Sequence, residues 1–340
     1  MAILVTGGLG YIGSHTVVEL LNDNFEVVIV DDLSNSERFI LKNIEEITGK
    51  KPVFYPFDLK RKELLTQVFD AHQIEGCINF AASKAVGESQ LKPVDYYENN
   101  LFSVINILQE FKERGISNFI FSSSCTVYGQ ADTMPIDENT PLKMPESVYG
   151  KTKQMGEEIL MDFAKAYHRK ISLLRYFNPI GAHPSAKIGE LPIGVPNNLV
   201  PYVMQTAAGI REKLSIWGND YPTEDGTAVR DYIYVVDLAK AHVAALKRLM
   251  NDQSEETKID IYNLGTGKGS SVLEVVKAFE TANNVEVPYQ ICDRREGDIT
   301  IAYANVNKAE RELGWKSETS LEEALRTVWQ WQKYLESRTP

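Results

Sequence analysis

Short apolar runs alternate with helix-sized stretches through the first half of this chain, and regularly spaced glycines punctuate the first alternation. Residues 3–6 (I-L-V-T) lead into Gly7, Gly10 and Gly13, spaced G-x-x-G-x-x-G, and a helical pattern follows to about Leu21. Further apolar runs lie at 25–30, 53–57, 76–80, 118–122 and 170–176, separated by stretches such as 61–71 and 97–114. Strands that alternate with helices at this spacing predict a parallel sheet covered on both sides.

A glycine turn between a strand and a helix has a chemical use. Without a Cβ the chain turns tightly, and its N–H groups can approach a pyrophosphate at the positive end of the helix. Asp31, 24 residues after Gly7, ends the second strand. A carboxylate there accepts from adenosine ribose hydroxyls and repels a 2′-phosphate, which favours NAD over NADP. Asp58 follows the third strand and either meets the adenine edge or caps a turn.

The run S-V-Y-G-K-T-K at 147–153 places Tyr149 and Lys153 four residues apart, on one face of a helix. A phenol is a poor proton acceptor at neutral pH unless a neighbouring charge favours its phenolate, and an ammonium supplies such a charge. Ser122–Ser124 stand at a strand end upstream, where serines most often cap turns. With the Tyr/Lys pair downstream, the Ser124 hydroxyl becomes a candidate to bind a reacting oxygen. The set points to redox chemistry at a carbinol. No G-x-S-x-G elbow is present, and the histidines His15, His72, His168, His183 and His242 form no compact metal pattern.

Acidic residues exceed basic ones by 47 to 36 in 340 residues, a formal charge of -11, which disfavours nucleic acid and anionic membranes as partners. Cys77, Cys125 and Cys292 fit neither a disulfide framework nor a zinc cluster. No leader or membrane-length apolar run is apparent, and the cytoplasm is the expected compartment. After Tyr176 the texture changes to Pro/Gly/Asn-rich loops at 177–184 and 192–201. Helices are expected at about 200–210, 235–250, 271–281, 305–312 and 320–337, with strands at 214–217 and 259–264. This region builds a second lobe, and the chain crosses between the lobes more than once.

The chain resembles the extended short-chain dehydrogenase/reductase superfamily, and within it the UDP-galactose 4-epimerase family. Superfamily motifs are T-G-G-L-G-Y-I-G-S-H at 6–15 and Y-G-K-T-K at 149–153. More specific are L-R-Y-F-N-P-I-G-A-H-P-S at 174–185, P-N-N-L-V-P at 196–201, G-N-D-Y-P-T-E-D-G-T at 218–227 and R-R-E-G-D at 294–298. The resemblance implies an α/β fold: a Rossmann-like parallel sheet with helices on both faces, plus a smaller mixed α/β substrate lobe. Residues 1–176 would bind NAD, with segments about 228–265 contributing, and 177–340 would mainly bind the UDP-sugar. It implies NAD as a retained catalytic cofactor, UDP-hexose as substrate and a homodimer. The dimer would form through helices near 97–114 and 149–168, whose apolar faces fit monomer packing equally well.

Carried over residue by residue, the resemblance makes Tyr149 the proton acceptor, Ser124 its neighbour at the sugar oxygen, and Lys153 the group that holds the nicotinamide ribose and lowers the phenol's pKa. Cofactor contacts fall on Gly7, Gly10, Tyr11, Ile12, Gly13, Asp31, Asn35, Asp58, Leu59, Phe80, Ala81, Ala82, Lys84, Asn99, Ser122, Tyr149, Lys153 and Tyr176. Substrate contacts fall on Lys84, Ser124, Tyr149, Asn178, Asn198, Leu199, Trp217, Arg230, Tyr232, Arg295, Asp298 and Ala302. Arg230 and Arg295 suit a diphosphate, because guanidinium forks pair with phosphate oxygens. Trp217 either lies beside the uracil or packs in a core.

Ala302 departs from epimerases restricted to UDP-glucose and UDP-galactose, which carry a tyrosine there. The missing ring would leave room for a 2-acetamido group, and so for UDP-N-acetylhexosamines, unless Tyr303 swings into the space. A nucleotide-sugar 4,6-dehydratase is the nearest alternative, but it carries Thr-Asp-Glu where this chain has Ser124-Cys125-Thr126. A UDP-glucuronate-processing enzyme and a silent NAD-binding scaffold are the lesser alternatives.

Overall fold

A computed structural model describes residues 2–295 and 298–338; Met1, Glu296, Gly297, Thr339 and Pro340 lie outside the described residues, so the R-R-E-G-D run is described only at its ends. In chain order the first part comprises β1 (Ala2–Thr6), α1 (Tyr11–Asn22), β2 (Glu26–Val30), α2 (Phe39–Thr48), β3 (Val53–Tyr55), α3 (Lys62–Ala71), β4 (Ile74–Asn79), α4 (Val86–Leu91), α5 (Pro93–Arg114), β5 (Asn118–Ser122), a 3₁₀ turn (Cys125–Tyr128), α6 (Val148–Tyr167) and β6 (Lys170–Tyr176). The remainder comprises β7 (Asn178–Ile180), α7 (Leu199–Ala207), β8 (Leu214–Trp217), β9 (Val229–Arg230), β10 (Tyr232–Tyr234), α8 (Val235–Asn251), β11 (Lys258–Leu264), β12 (Ser270–Ser271), α9 (Val272–Asn283), β13 (Tyr289–Cys292), β14 (Ile301–Ala302), α10 (Asn307–Leu313) and α11 (Leu321–Arg338).

Seven strands form one parallel sheet in the order β11-β6-β5-β4-β1-β2-β3. Successive residues of β1 point to opposite faces. Ile3 and Val5 join Val17, Val18, Ile44 and Leu238 from α1, α2 and α8, while Leu4 joins Leu65, Phe111 and Leu160 from α3, α5 and α6. Both faces are therefore covered, which is why the strands read as continuous apolar runs. The chain builds outward from β1 in two directions, through β2 and β3 and then back through β4. The crevice above the ends of β1 and β4 is the natural ligand position in such a sheet.

The strand expected at 53–57 stops at Tyr55, because Pro56 has no N–H to donate. Helix α5 begins at Pro93 rather than 97, with proline at the first turn, where its missing N–H costs nothing. Helix α2, unmarked in the sequence reading, ends on Gly49 at φ 67°. Lys258–Leu264 returns from the second half of the chain to pair with all of β6. The rest of that half forms small sheets, β10-β7, β12-β9-β14 and β13-β8, backed by α7, α9 and α11.

Candidate active site

A cleft of about 440 Å³ opens over the ends of β1, β2 and β4. Its lining includes Gly7, Gly10, Tyr11, Ile12, Gly13, Asp31, Asn35, Asp58, Leu59, Phe80, Ala81, Ala82, Lys84, Asn99, Tyr149, Lys153 and Tyr176. The glycine turn is packed to its limit. A Cβ on Gly7, at φ 67°, would stand 2.8 Å from the Ala81 nitrogen, and one on Gly13 would stand 2.2 Å from the Gly7 oxygen. Asp31 is buried at the end of β2. Its carboxylate accepts from Leu9 N at 2.9 Å, Leu33 N at 3.0 Å and Ser36 Oγ at 2.7 Å, which holds one edge of the cleft in place. Asp58 accepts from Lys60 N at 2.8 Å, so it makes a turn while lining the cleft. These residues fit a dinucleotide: a side-chain-free cradle for phosphates with a fixed carboxylate beside it.

At the inner end of the cleft, Ser147 caps α6 by accepting from Gly150 N at 3.1 Å. The cap sets Tyr149 in the first turn and Lys153 one turn on. Lys153 Nζ donates to the Ser122 carbonyl at 2.7 Å and lies 5.9 Å from the centre of the Tyr149 ring. Ser122 therefore stands behind the cleft rather than on its lining, and its Oγ donates to the Tyr176 hydroxyl at 3.3 Å. Ser124 accepts from Thr126 N at 3.3 Å, capping the 3₁₀ turn, and also faces the Tyr149 phenol.

Burial lowers the Lys153 ammonium to about 8, with Glu157 opposing. Burial also drives the Tyr149 phenol well above its ordinary value; Tyr176 adds to the rise and the Ser124 hydroxyl opposes it. Desolvation sets the direction for the phenol, and the hydrogen bond of Lys153 goes to a carbonyl.

Sequence reasoning missed what lies behind the pair. Glu157, fully buried one turn beyond Lys153, accepts from Ser123 Oγ at 2.5 Å and from Arg175 at 2.6 and 3.0 Å. It missed Glu190 as well. That carboxylate lines the cleft, 3.2 Å from Lys84 Nζ and 2.8 Å from Asn198 Nδ2. Neither acid belongs to a local motif, and each finds its partners only through the tertiary fold.

The remaining predicted substrate residues gather on the second lobe. Arg230 and Ala302 are register partners in the β9–β14 pair, and Asn178 and Tyr232 are partners in β7–β10. Arg295 makes a two-pronged pair with Asp298, at 2.9 and 3.3 Å, and its guanidinium stands 5.8 Å from the Trp217 ring centre. Arg230 lies 4.0 Å from the same carboxylate. Trp217 is 42% exposed, which removes the core-packing alternative. Leu199, half-buried, begins α7. Ala302 is buried against Val127, Tyr128, Ile136 and Phe177. The Tyr303 ring lies beside Gly269, 3.7 Å from where a Cβ would stand there.

His15 belongs to the scaffold: its Nδ1 donates to the Tyr11 carbonyl at 2.8 Å, and burial lowers it to about 3. No helix among the described residues is long and apolar enough to cross a membrane.

Comparison with known proteins places this geometry. The family model described as GDP-mannose 4,6 dehydratase matches residues 4–328. The chain is 54% identical to a UDP-glucose 4-epimerase of Bacillus subtilis, over 98% of this chain and 97% of that one. Among solved structures it resembles a UDP-glucose 4-epimerase from Stenotrophomonas maltophila with bound NAD and formylated UDP-arabinopyranose, at 45% identity, TM-score 0.95 and 99% coverage of both chains. The Bifidobacterium longum UDP-glucose 4-epimerase in complex with NAD+ and UDP matches at 46% identity, TM-score 0.93 and 98% coverage of both. With its glycine cradle, its Tyr149/Lys153 pair and this likeness over nearly its whole length, the chain belongs to the UDP-glucose 4-epimerase family of extended short-chain dehydrogenases/reductases.

Proposed function

We propose that this protein interconverts UDP-glucose and UDP-galactose at C4 through a transient 4-keto sugar, with NAD held in the β1/β4 cleft. The observation that carries the reading is the meeting of Ser124, Tyr149 and Lys153 at the inner end of that cleft. Bound NAD supplies the hydride acceptor and donor. Tyr149 takes the proton from the 4-hydroxyl and later returns it to the same oxygen. Ser124 holds that oxygen, and Lys153 supplies the positive charge that the buried phenol needs in order to ionise.

Reversing the configuration requires the hexose to present its other face. The hold must therefore rest on the nucleotide, a role suited to Arg230, Arg295, Asp298 and Trp217. A division of labour follows: 1–176 with the returning segment 228–265 serves the cofactor, and 177–340 mainly serves the UDP-sugar. The run Ser124-Cys125-Thr126 argues against elimination chemistry, since it lacks the Asp-Glu acid pair that would remove water from the sugar.

The proposal extends to UDP-N-acetylglucosamine and UDP-N-acetylgalactosamine. Ala302 carries only a methyl group at the position where the resemblance expects a phenol ring, and the Tyr303 ring lies beside Gly269. A homodimer is part of the same reading, through α5 and α6, on which Phe102 and Tyr167 are exposed. Separating the C4 epimers formed from UDP-galactose and from UDP-N-acetylglucosamine, together with sedimentation velocity, tests these statements. Absence of any C4 epimer from protein that retains NAD would contradict the reaction.

A further inference from the structure

Two polar donors expected to meet ligand, Lys84 and Asn198, reach the cleft from segments far apart in sequence. Lys84 belongs to the loop after β4, and Asn198 immediately precedes α7 in the second lobe. Both donate to one oxygen of Glu190, at 3.2 and 2.8 Å. Asn198 occupies the N-cap of α7, yet its side chain makes no cap hydrogen bond there; its amide goes to the carboxylate instead. Glu190 itself is fixed. Its carbonyl accepts from Trp331 Nε1 at 2.9 Å, and a Cβ on Gly189 would stand 2.7 Å from the Trp331 ring. A carboxylate on a fixed stretch of backbone therefore takes up two donors in a cleft otherwise suited to phosphates.

We propose that Glu190 is a latch, a positioning residue whose carboxylate holds Lys84 and Asn198 in the cleft and hands them to the diphosphate of an incoming nucleotide. The inference rests on the function proposed above. A diphosphate must displace the carboxylate from both donors and then lie beside its negative charge, so the latch weakens nucleotide binding while keeping the donors aligned. The Lys84 side chain is 49% exposed, so water screens the exchange and the effect is modest. The diphosphate belongs either to the sugar nucleotide or to the dinucleotide, and binding separates the two.

The test uses the NAD-loaded protein with Glu190→Gln and Glu190→Asp, titrating UDP by calorimetry and following the loss of bound NAD during prolonged dialysis. Glu190→Gln is expected to bind UDP about threefold tighter, while the charge-retaining Glu190→Asp stays near the parent. Slower NAD loss with unchanged UDP affinity would also support the latch and assign the handover to the dinucleotide. Unchanged or weaker binding of both, at an unchanged melting temperature, overturns it. A parent protein that binds no UDP would instead sink the functional reading on which the latch rests.

Discussion

Lys153 directs its ammonium to the Ser122 carbonyl at 2.7 Å while standing 5.9 Å from the centre of the Tyr149 ring. The lysine thus acts on the phenol as a fixed charge rather than as a hydrogen-bond donor. Replacing Tyr149 by Phe removes the proton acceptor while leaving the ring. Turnover of UDP-galactose is expected to fall by roughly 10²- to 10⁴-fold, with UDP affinity little changed, in parallel rate and titration measurements.

The same lysine gives a pH signature. Burial lowers it from 10.5 to about 8, so the native chain releases this proton well before the unfolded chain does. Between about pH 8 and 10.5 the unfolded state binds more protons at this site, and its contribution to stability rises with pH across that window. Activity runs the other way, since loss of the ammonium above about 8 removes the charge that favours the phenolate. A falling alkaline limb in kcat/KM is expected, and Lys153→Arg, whose guanidinium does not deprotonate there, should flatten it.

Gly13→Ala tests the cradle. The new methyl would stand 2.2 Å from the Gly7 oxygen, a backbone atom that cannot swing aside. A loss of about 1–3 kcal/mol in denaturant unfolding is expected, together with loss of retained NAD by absorbance.

Glu157→Ala leaves Arg175 buried without its carboxylate and Ser123 without its acceptor, directly behind the Ser122–Ser124 strand end. Removing one partner of a buried pair costs about 3–5 kcal/mol, and urea unfolding should register a loss of that size.

Ala302→Tyr restores the ring that Ala302 lacks. Epimerisation of UDP-N-acetylglucosamine is expected to fall by at least tenfold, while that of UDP-galactose persists, a change of about 1.4 kcal/mol or more in discrimination. Equal effects on both substrates, measured side by side, would remove the gate argument.

The sheet was legible because its strands are buried on both faces and therefore read as apolar runs between glycine and asparagine turns. The Tyr149/Lys153 pair was legible because a helix converts a four-residue spacing into a shared face. Glu190 and Glu157 were not, because Lys84 lies 106 residues from Glu190 in sequence and Arg175 reaches Glu157 from a neighbouring strand. The desolvation of the Tyr149 phenol was not legible for a related reason. Spacing reveals that a lysine is near, while desolvation depends on everything that surrounds the phenol. Asp58 had two readings in sequence, and the structure shows it turning the chain while also lining the cleft.

The most direct test gives the purified protein UDP-galactose without added NAD and follows both the C4 epimer and the reduced-nicotinamide absorbance. The account predicts UDP-glucose approaching equilibrium with no net accumulation of reduced cofactor. Failure to form UDP-glucose with NAD demonstrably bound, or stoichiometric build-up of an oxidised sugar, would contradict it.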